Sequence, residues 1–349
     1  MAVRVLIVDD SAFMRGAIAR LLGGDARFEV VGQAKDGSEA VRLAAELAPD
    51  VITMDFNMPG MNGAEATRAI LDAKATPIVM LSAHTREGAT ATIQALAAGA
   101  VDFVEKPDGE VSANLSNIRE GLTEKLLTAA GANVAAAVSV PTTESVTSSR
   151  RIPRSAPRPM PAGLRLVVVA SSTGGPAALV RLLSTLRLGD NAALLLVQHM
   201  SAGFTEALAA QLAESAAFAV QEASAGLELA PGLALVAPGG SHLLVERSGR
   251  VALSDAPAVH GVKPAADVTL KSAAQAFGAR VVGVVLTGMG RDGALGLAAV
   301  KAAGGRTIAQ DKNSSTVYGM PKAAVEMGVV DEVLALDRIG RAVSGLVTS

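Results

Sequence analysis

Short apolar runs alternate with amphipathic stretches along the first third of the chain. The apolar runs predict five strands, Val3–Val8, Phe28–Ala34, Val51–Met54, Ile78–Leu81 and Val101–Val104. Ser11 is a suitable cap for a helix whose inner face we expect to include Phe13 and Leu22. Nearly continuous apolar strands separated by helices are typical of a parallel sheet covered on both faces.

The same alternation returns in the second half of the chain. Four more apolar runs predict the strands Leu164–Ala170, Ala192–Val197, Leu233–Ala237 and Val281–Leu286. Helical patterns occupy Ala177–Leu186, Thr205–Ser215, Val268–Phe277 and Gly293–Ala303. The stretch His242–Leu253 predicts a hairpin. The chain is therefore predicted to be an α/β protein with two doubly wound domains, the second built on a mainly parallel sheet.

A segment of different composition separates the two halves. Residues 126–162 are rich in Ala, Ser, Thr and Pro and hold few large apolar side chains, which is typical of a linker. Its basic cluster would either contact an acidic partner or simply stay solvated; the cluster is Arg150, Arg151, Arg154 and Arg158. The predicted domains are thus residues 1–125 and 163–349, joined by a linker at 126–162.

Composition excludes several classes of function. Lys and Arg number 31 against 33 Asp and Glu, so the net charge of −2 gives no reason to expect nucleic-acid binding. The chain has no Cys, which excludes disulfides, thiolate nucleophiles and Cys-ligated zinc. No apolar run reaches the roughly 18 residues of a membrane helix, and the first one stops at Asp9. We therefore expect no membrane insertion and a cytoplasmic location.

Polar residues follow the strands of the first domain at the points where the strands end. They are Asp9, Asp10, Asp55, Ser82 and Lys106. Because the carboxyl ends of parallel strands meet at one edge, we expect these side chains to lie together. Three carboxylates repel one another unless a cation such as Mg²⁺ is bound. Any one of these residues is often only a cap or turn residue, but the complete set favours phosphoryl transfer to an Asp.

Four motifs of this domain lead to a family resemblance. They are Val8–Ser11, Met54–Gly63, Leu81–Ala83 and Glu105–Pro107. Over roughly residues 1–125 the sequence resembles the receiver domain of two-component response regulators. The resemblance implies a flavodoxin-like fold with strand order 2-1-3-4-5.

The receiver resemblance also implies a role for each polar residue at the strand ends. Asp55 would accept a phosphoryl group from a chemotaxis-type sensor histidine kinase, and Asp9 and Asp10 would hold Mg²⁺ together with Asp55. Ser82 and Lys106 would contact the phosphoryl group. Two positions depart from the common pattern: Asn62 stands where Asp is usual, and Phe103 stands at the aromatic switch position without a phenol.

Three polar residues at strand ends of the second domain suggest hydrolytic chemistry. Ser172 lies in a glycine-rich strand-to-helix turn, His199 follows the second strand, and Asp292 lies in a glycine-rich loop after a later strand. These residue types can act as nucleophile, base and orienting carboxylate. The chain order Ser, His, Asp and the lack of a Gly-x-Ser-x-Gly elbow indicate a scaffold other than the α/β-hydrolase fold.

The residues alone leave alternatives open at this site. The loop Ser171–Gly175 would also suit a phosphate or nucleotide, although it lacks a Walker Lys-Ser/Thr and the Gly-x-Gly-x-x-Gly spacing. His242 and His260 are rivals of His199 for the base. An esterase domain that is inactive or redirected to another receptor system is a further alternative.

Six motifs of the second domain carry another resemblance. They are Ala170–Pro176, Val197–Met200, Gly203–Thr205, Ala237–Gly239, Leu286–Gly293 and Tyr318–Pro321. From about residue 163 to about residue 340 the chain resembles the catalytic domain of the chemotaxis protein-glutamate methylesterases, the CheB family. This implies hydrolysis of glutamyl methyl esters on methyl-accepting chemoreceptors, with release of methanol, and deamidation of receptor Gln to Glu.

The second resemblance assigns residues as well. Ser172, His199 and Asp292 fall on the triad positions of the family, and the backbones of Thr173 and Met289 fall near its oxyanion region. No metal or organic cofactor is implied for ester hydrolysis. In the family, the unphosphorylated receiver covers the active site and phosphorylation releases it.

Overall fold

The computed structural model describes residues 1–82, 85–106, 115–138 and 163–348. The chain divides into two compact units, Met1–Ser139 and Val140–Ser349. Several positions named above lie outside the described residues: Ala83, Pro107, and the basic cluster Arg150, Arg151, Arg154 and Arg158 of the predicted linker.

The first unit contains a five-stranded parallel sheet. Its strands are β1 (Val3–Val8), β2 (Phe28–Ala34), β3 (Val51–Asp55), β4 (Ile78–Ser82) and β5 (Asp102–Glu105). They are arranged in the order β2-β1-β3-β4-β5, and every pair is parallel. This order confirms the predicted flavodoxin-like fold. All residues of β3 and β4 are buried, as expected of strands at the centre of a covered sheet.

Helices follow the strands of this unit. They are α1 (Ala12–Gly23), α2 (Gly37–Leu47), α3 (Gly63–Ala73), α4 (Arg86–Ala97), α5 (Leu115–Ala130) and α6 (Val134–Val138). Ser11 caps α1 as predicted, since its hydroxyl accepts a hydrogen bond from the backbone N–H of Met14. The prediction for Phe13 is wrong, because this side chain is 55% exposed. At about 100° per residue, Phe13 and the buried Leu22 lie on opposite sides of the helix.

Helix α5 extends beyond the predicted end of the first domain. It continues to Ala130, so the boundary at residue 125 falls inside a helix. Leu126 and Ala129 are fully buried, which shows that the apolar face of the helix continues into the segment assigned to the linker. The predicted start of the linker is therefore corrected to a point after this helix.

The second unit contains a seven-stranded sheet and a separate hairpin. Its strands are β6 (Arg165–Ser171), β7 (Ala192–Gln198), β8 (Ala219–Glu222), β9 (Leu233–Val236), β10 (His242–Val245), β11 (Val251–Ser254), β12 (Val281–Val285), β13 (Arg306–Gln310) and β14 (Glu332–Leu334). The large sheet has the order β14-β13-β12-β6-β7-β9-β8 and every pair in it is parallel. Strands β10 and β11 form the predicted antiparallel hairpin. The mainly parallel α/β class is confirmed.

In the described residues of this unit, six α-helices accompany the sheet. They are α7 (Gly175–Thr185), α8 (Phe204–Ser215), α9 (Ala266–Phe277), α10 (Ala294–Ala302), α11 (Met320–Glu326) and α12 (Leu336–Thr348). Strands β6, β7 and β12 lie next to one another near the middle of the sheet and are almost entirely buried. None of the helices in the described ranges is long and apolar enough to cross a membrane.

Candidate phosphorylation site and candidate active site

Two buried aspartates of the first unit share one lysine. Asp9 directly follows β1 and is fully buried, whereas Asp55 is the last residue of β3 and is 5% exposed. The Nζ atom of Lys106 lies 2.8 Å from Asp9 Oδ2 and 2.8 Å from Asp55 Oδ1. The structure thus brings three of the predicted residues into direct contact at the carboxyl edge of the sheet.

The charges of this cluster are not balanced. Burial raises the pKa of Asp55, and the neighbouring Asp9 and Asp10 carboxylates add to this effect against the opposing influence of Lys106. Burial acts to lower the pKa of Lys106, but the Asp55 and Asp9 carboxylates together raise it above its ordinary value. The cluster therefore has more negative charge than the one lysine compensates.

The donor set of this cluster fits a divalent cation. Asp9, Asp10 and Asp55 each offer a carboxylate oxygen, and these atoms all lie within 4.8 Å of one another. Asp10 is exposed, so the cluster is open on one side. Hard cations such as Mg²⁺ prefer carboxylate oxygens and retain several waters, which suits a partly open acidic cluster.

Ser82 is the last residue of β4 and connects this edge with α4. Its buried hydroxyl accepts a hydrogen bond from Thr92 Oγ1 at 2.7 Å and donates one to the carbonyl of Gly88 at 3.3 Å. Both partners belong to α4. A ligand that recruits the Ser82 hydroxyl would therefore compete with contacts to this helix.

The two residues that depart from the receiver pattern, Asn62 and Phe103, both make defined contacts. The Asn62 side chain accepts hydrogen bonds from the backbone N–H groups of Ala64 and Glu65 at 3.0 Å, and Glu65 accepts one from the Asn62 backbone, so Asn62 forms a complete capping box for α3. Phe103 is buried, and Lys125 Nζ lies 5.0 Å from the centre of its ring. Asn62 thus serves well as a helix cap without a carboxylate.

In the second unit, strand register places Ser172 beside His199. Ser171 ends β6 and pairs with Gln198, which ends β7, so the next residue of each chain segment lies at the same edge. The backbone N–H of His199 donates to the carbonyl of Ser171 at 3.0 Å, which fixes this neighbourhood. Asp292 lies in the loop after β12, the strand that pairs with β6 on the side opposite β7.

His199 and Asp292 form a short imidazole–carboxylate contact. His199 Nε2 lies 2.7 Å from Asp292 Oδ2. The same carboxylate accepts backbone N–H bonds from Ala266 at 2.6 Å, Asp267 at 2.9 Å and Gly293 at 3.0 Å. Burial acts to raise the pKa of Asp292, but the hydrogen bond and charge of His199, with the N–H donors of Asp267 and Ala266, hold it below the ordinary value. Asp292 is therefore a stable anion at the N-terminus of α9.

The backbone of Ser172 is held from three directions. Its N–H donates to the carbonyl of Thr287 at 3.0 Å, and its carbonyl accepts from the Gly175 N–H at 2.7 Å and from Gln198 Nε2 at 2.9 Å. Within the described part of the chain, the Ser172 hydroxyl makes no hydrogen bond. Because Nε2 of His199 is used by Asp292, Nδ1 is the ring nitrogen that remains to face a nucleophile.

Gln198 is a site residue that sequence reasoning missed. Its Oε1 accepts from Ser171 Oγ at 2.7 Å, and its Nε2 donates to the carbonyls of Ser172 and His199. A Cβ atom at Gly175 would collide with Gln198 Oε1, so this placement of the Gln198 side chain depends on glycine at position 175. The only sequence signal was the place of Gln198 between an apolar strand and a histidine.

The two backbone groups predicted near an oxyanion lie on loops next to Ser172. The carbonyl of Thr173 accepts a hydrogen bond from Thr287 Oγ1 at 2.9 Å. Met289 follows Gly288, at which an added Cβ atom would lie 2.7 Å from Ser172 Cβ. Both loops therefore run directly beside the serine.

The rival histidines have other partners. His242 is fully buried, and its Nδ1 accepts from the Ala265 N–H at 3.1 Å while its Nε2 donates to the Pro257 carbonyl at 3.1 Å. Neither of its ring nitrogens is left to accept a proton from a serine. His260 Nε2 lies 3.0 Å from Asp267 Oδ2. Of the candidate bases, His199 has the arrangement expected beside Ser172.

Comparisons with known proteins cover nearly the whole chain. The family described as CheB methylesterase matches residues 167–343, and the family described as response regulator receiver domain matches residues 5–114. A "protein-glutamate methylesterase/protein-glutamine glutaminase" of Symbiobacterium thermophilum is 45% identical over 348 residues, covering 98% of this chain and 96% of the relative. A protein of the same name from Pyrococcus horikoshii is 42% identical over 347 residues, covering 97% and 91%.

A solved structure matches the second unit. The crystal structure of the Thermotoga maritima CheB methylesterase catalytic domain is 39% identical, with a TM-score of 0.51, and the match covers 52% of this chain and 98% of that structure. The full-length identities and the two family matches agree with the order of the two units described above. The chain therefore belongs to the CheB methylesterase family, in which it joins a response regulator receiver domain to a methylesterase domain.

Proposed function

We propose that this chain is a phosphorylation-activated protein-glutamate methylesterase that also deamidates glutamine. Its substrates are glutamyl methyl esters on methyl-accepting chemoreceptors, from which it releases methanol, and receptor Gln, which it converts to Glu. The observation that carries the proposal is the His199–Asp292 contact at the sheet edge where Ser172 lies. Relatives that span nearly the full chain carry the corresponding name.

In the acylation step, Ser172 Oγ attacks the carbonyl carbon of the ester while Nδ1 of His199 takes the hydroxyl proton. A C–O bond forms and the carbonyl oxygen becomes an oxyanion, which the backbone N–H groups of Thr173 and Met289 stabilise. The bond to the methoxy group then breaks, and His199 returns the proton so that methanol leaves. Asp292 holds the imidazole in the required orientation and stabilises its charged form.

In the deacylation step, water attacks the acyl-enzyme and His199 acts again as the base. The bond to Ser172 breaks, the serine regains its proton from His199, and a glutamate carboxyl group is released. With a glutamine side chain the same sequence releases ammonia in place of methanol. None of these steps uses a metal or an organic cofactor.

The receiver unit regulates this reaction through Asp55. A chemotaxis-type sensor histidine kinase donates the phosphoryl group, and Asp55 accepts it. Asp9, Asp10 and Asp55 hold Mg²⁺, which supplies charge neutralisation for the acidic cluster and for the phosphoryl oxygens. Lys106 and Ser82 contact the phosphoryl group, and Ser82 exchanges its present contacts with α4 in doing so. The reaction takes place in the cytoplasm, and residues between α6 and 163 join the two domains.

The test is release of methanol from a methylated chemoreceptor fragment by the full-length protein. The assay contains Mg²⁺ and is run with and without beryllofluoride, a phosphoryl mimic. We expect release that increases with beryllofluoride and disappears in Ser172→Ala. The matched control is Ser184→Ala on α7, which should leave the rate unchanged. Absence of release from folded wild-type protein would contradict the esterase, and equal rates with and without beryllofluoride would contradict the regulation.

A further inference from the structure

Asp292 of the proposed triad and a second buried aspartate, Asp267, accept hydrogen bonds at the starts of α9 and α10. Asp292 accepts N–H bonds from Ala266 and Asp267 at the start of α9. Asp267 in turn accepts N–H bonds from Gly293 at 3.0 Å and Gly296 at 2.6 Å at the start of α10. The Gly293 N–H is shared, since it also lies 3.0 Å from Asp292 Oδ1. The position of each carboxylate therefore depends on the other.

Each of these aspartates also contacts the imidazole of a different histidine. His199 contacts Asp292 at 2.7 Å, and His260 contacts Asp267 at 3.0 Å. The Asp267 side chain is 1% exposed, whereas that of His260 is 30% exposed. Two buried carboxylates side by side repel each other unless each has a donor or a counter-charge. Loss of the His260 imidazole would leave Asp267 Oδ2 without this donor in a buried position.

The backbone of His260 is held in an unfavourable conformation. Its φ is +54° and that of the following Gly261 is +78°. The two residues form a tight turn closed by mutual hydrogen bonds between Val259 and Val262, both 3.1 Å long. A two-residue turn with both φ values positive favours Asn-Gly, and a histidine at its first position costs free energy. Strain of this kind persists where the side chain has a task, and here the imidazole reaches Asp267.

We infer that His260 is a positioning residue for the hydrolysis, acting through Asp267. The imidazole holds the Asp267 carboxylate, Asp267 holds the Gly293 N–H, and this N–H helps to seat Asp292, which orients His199. The pair His260–Asp267 is thus a second imidazole–carboxylate pair that supports the catalytic one. This inference rests on the proposed function, because it assigns a role within the same active site.

The test compares His260→Asn with wild type in the full-length methanol-release assay. Asparagine suits a positive φ, so this variant keeps the turn and removes only the imidazole. We expect kcat to fall about 10-fold to 100-fold with KM unchanged, because orientation of the base is affected and substrate binding is not. The thermal midpoint should change little, since relief of the strain in the turn offsets the loss of the contact with the buried Asp267 carboxylate. His260→Gly, which also tolerates a positive φ, should give the same result.

A double mutant shows whether the effect passes through Asp292. In an Asp292→Asn background, His260→Asn should cause no further loss of the residual rate, because the carboxylate that it positions is gone. Ala48→Asn is the matched control, since Ala48 also has a positive φ, +44°, at the end of α2 in the receiver unit. This control should leave kcat unchanged.

The outcomes separate this inference from the proposed function. Full kcat in His260→Asn, with wild-type protein active, would overturn the inference and leave the esterase in place. An equal fold-loss in the wild-type and Asp292→Asn backgrounds would overturn the route through Asp292. Failure of wild-type protein to release methanol would overturn the proposed function itself, whatever the variant does.

Discussion

Asp55 and Asp292 are both buried aspartates at the carboxyl edge of a parallel sheet, and both contact a basic side chain, yet their pKa values shift in opposite directions. Asp55 is 5% exposed and lies 2.8 Å from Lys106, and burial nevertheless raises its pKa. Asp292 is 2% exposed, and despite burial its pKa is lowered by His199 and by backbone N–H groups. Burial alone therefore does not decide the charge state at either site.

The difference lies in the donors around each carboxylate. Asp292 accepts three backbone N–H bonds and one imidazole contact, and two of the N–H groups belong to a helix N-terminus. Asp55 contacts Lys106, whose charge is divided between Asp55 and Asp9. Donors on both of its oxygens suit Asp292 to its proposed role of orienting an imidazole. The smaller number of donors around Asp55 suits its proposed role as acceptor of a phosphoryl group and ligand of a cation.

The largest effect is expected from replacing the Asp292 carboxylate, which disrupts the hydrogen bonds around it. Asp292→Asn should lower kcat for methanol release by about 10⁴-fold, because an amide favours the wrong imidazole tautomer and places an NH₂ group against N–H donors. Hydrogen exchange of the same variant should show lower protection at the start of α9, where the Ala266 and Asp267 amides bond different oxygens of Asp292 and the amide side chain keeps only one of them. A rate near that of wild type would show that another group orients His199.

The next effect concerns Asp55 and the regulatory role proposed for it. Asp55→Asn should reduce the ratio of methanol release with and without beryllofluoride to about one, since the mimic binds at a carboxylate oxygen that the amide lacks. The matched control is Asp72→Asn, a carboxylate of α3 in the same unit. Activation that persists in Asp55→Asn would place the phosphoryl acceptor elsewhere.

The sequence predicted the strand ends of both sites because the signal is local. An apolar run followed by a polar residue marks the end of a buried strand, and this rule located Asp9, Asp55, His199 and Ser172 at the edges where the structure has them. The alternation of apolar runs and helical patterns predicted the α/β class of both units, and the receiver resemblance added the strand order of the first. The pattern wrongly predicted that Phe13 is buried, because this large apolar residue lies on the exposed side of its helix.

The contacts that support the site could not be predicted from the sequence, because the residues that make them are far apart along the chain. Asp267 bonds the N–H groups of Gly293 and Gly296, which are 26 and 29 residues away. No local pattern connects a helix N-terminus with a loop that follows another strand. The short strand β14 was missed for a related reason, since its three residues are only partly buried or exposed and carry no apolar run.

Mg²⁺ should have a moderate effect on thermal stability, and this effect should be confined to the receiver unit. Mg²⁺ at millimolar concentration should raise the thermal midpoint by a few degrees, because a ligand that binds the folded acidic cluster stabilises it. The increase should be lost in Asp10→Asn and kept in Glu29→Asn, an exposed carboxylate on β2. An equal increase in both variants would indicate that the cation acts elsewhere on the surface.

The smallest expected effect is a pH dependence of opposite sign in the two units. The folded-state pKa of Asp292 is lowered, so its stabilisation is present above the ordinary pKa of 3.8 and is lost only as pH falls through the folded-state value. The folded-state pKa of Asp55 is raised, so stability is greatest below 3.8 and declines as pH rises through the folded-state value. At pH 7 in EDTA, Asp55→Asn should stabilise its unit and Asp292→Asn should destabilise its own.

The effects of the two variants on stability should also be lost at different pH values. As the pH falls, the effect of Asp55→Asn should fade first, because the raised pKa lets the wild-type carboxylate take up its proton at a higher pH, whereas the lowered pKa of Asp292 keeps the effect of Asp292→Asn to a lower pH. Hydrogen exchange in the full chain measures both units at once, with buried amides of β3 reporting on the first and those of β12 on the second. Stability changes of the same sign in both units at pH 7 would mean that Lys106 compensates Asp55 as fully as the N–H donors and His199 compensate Asp292.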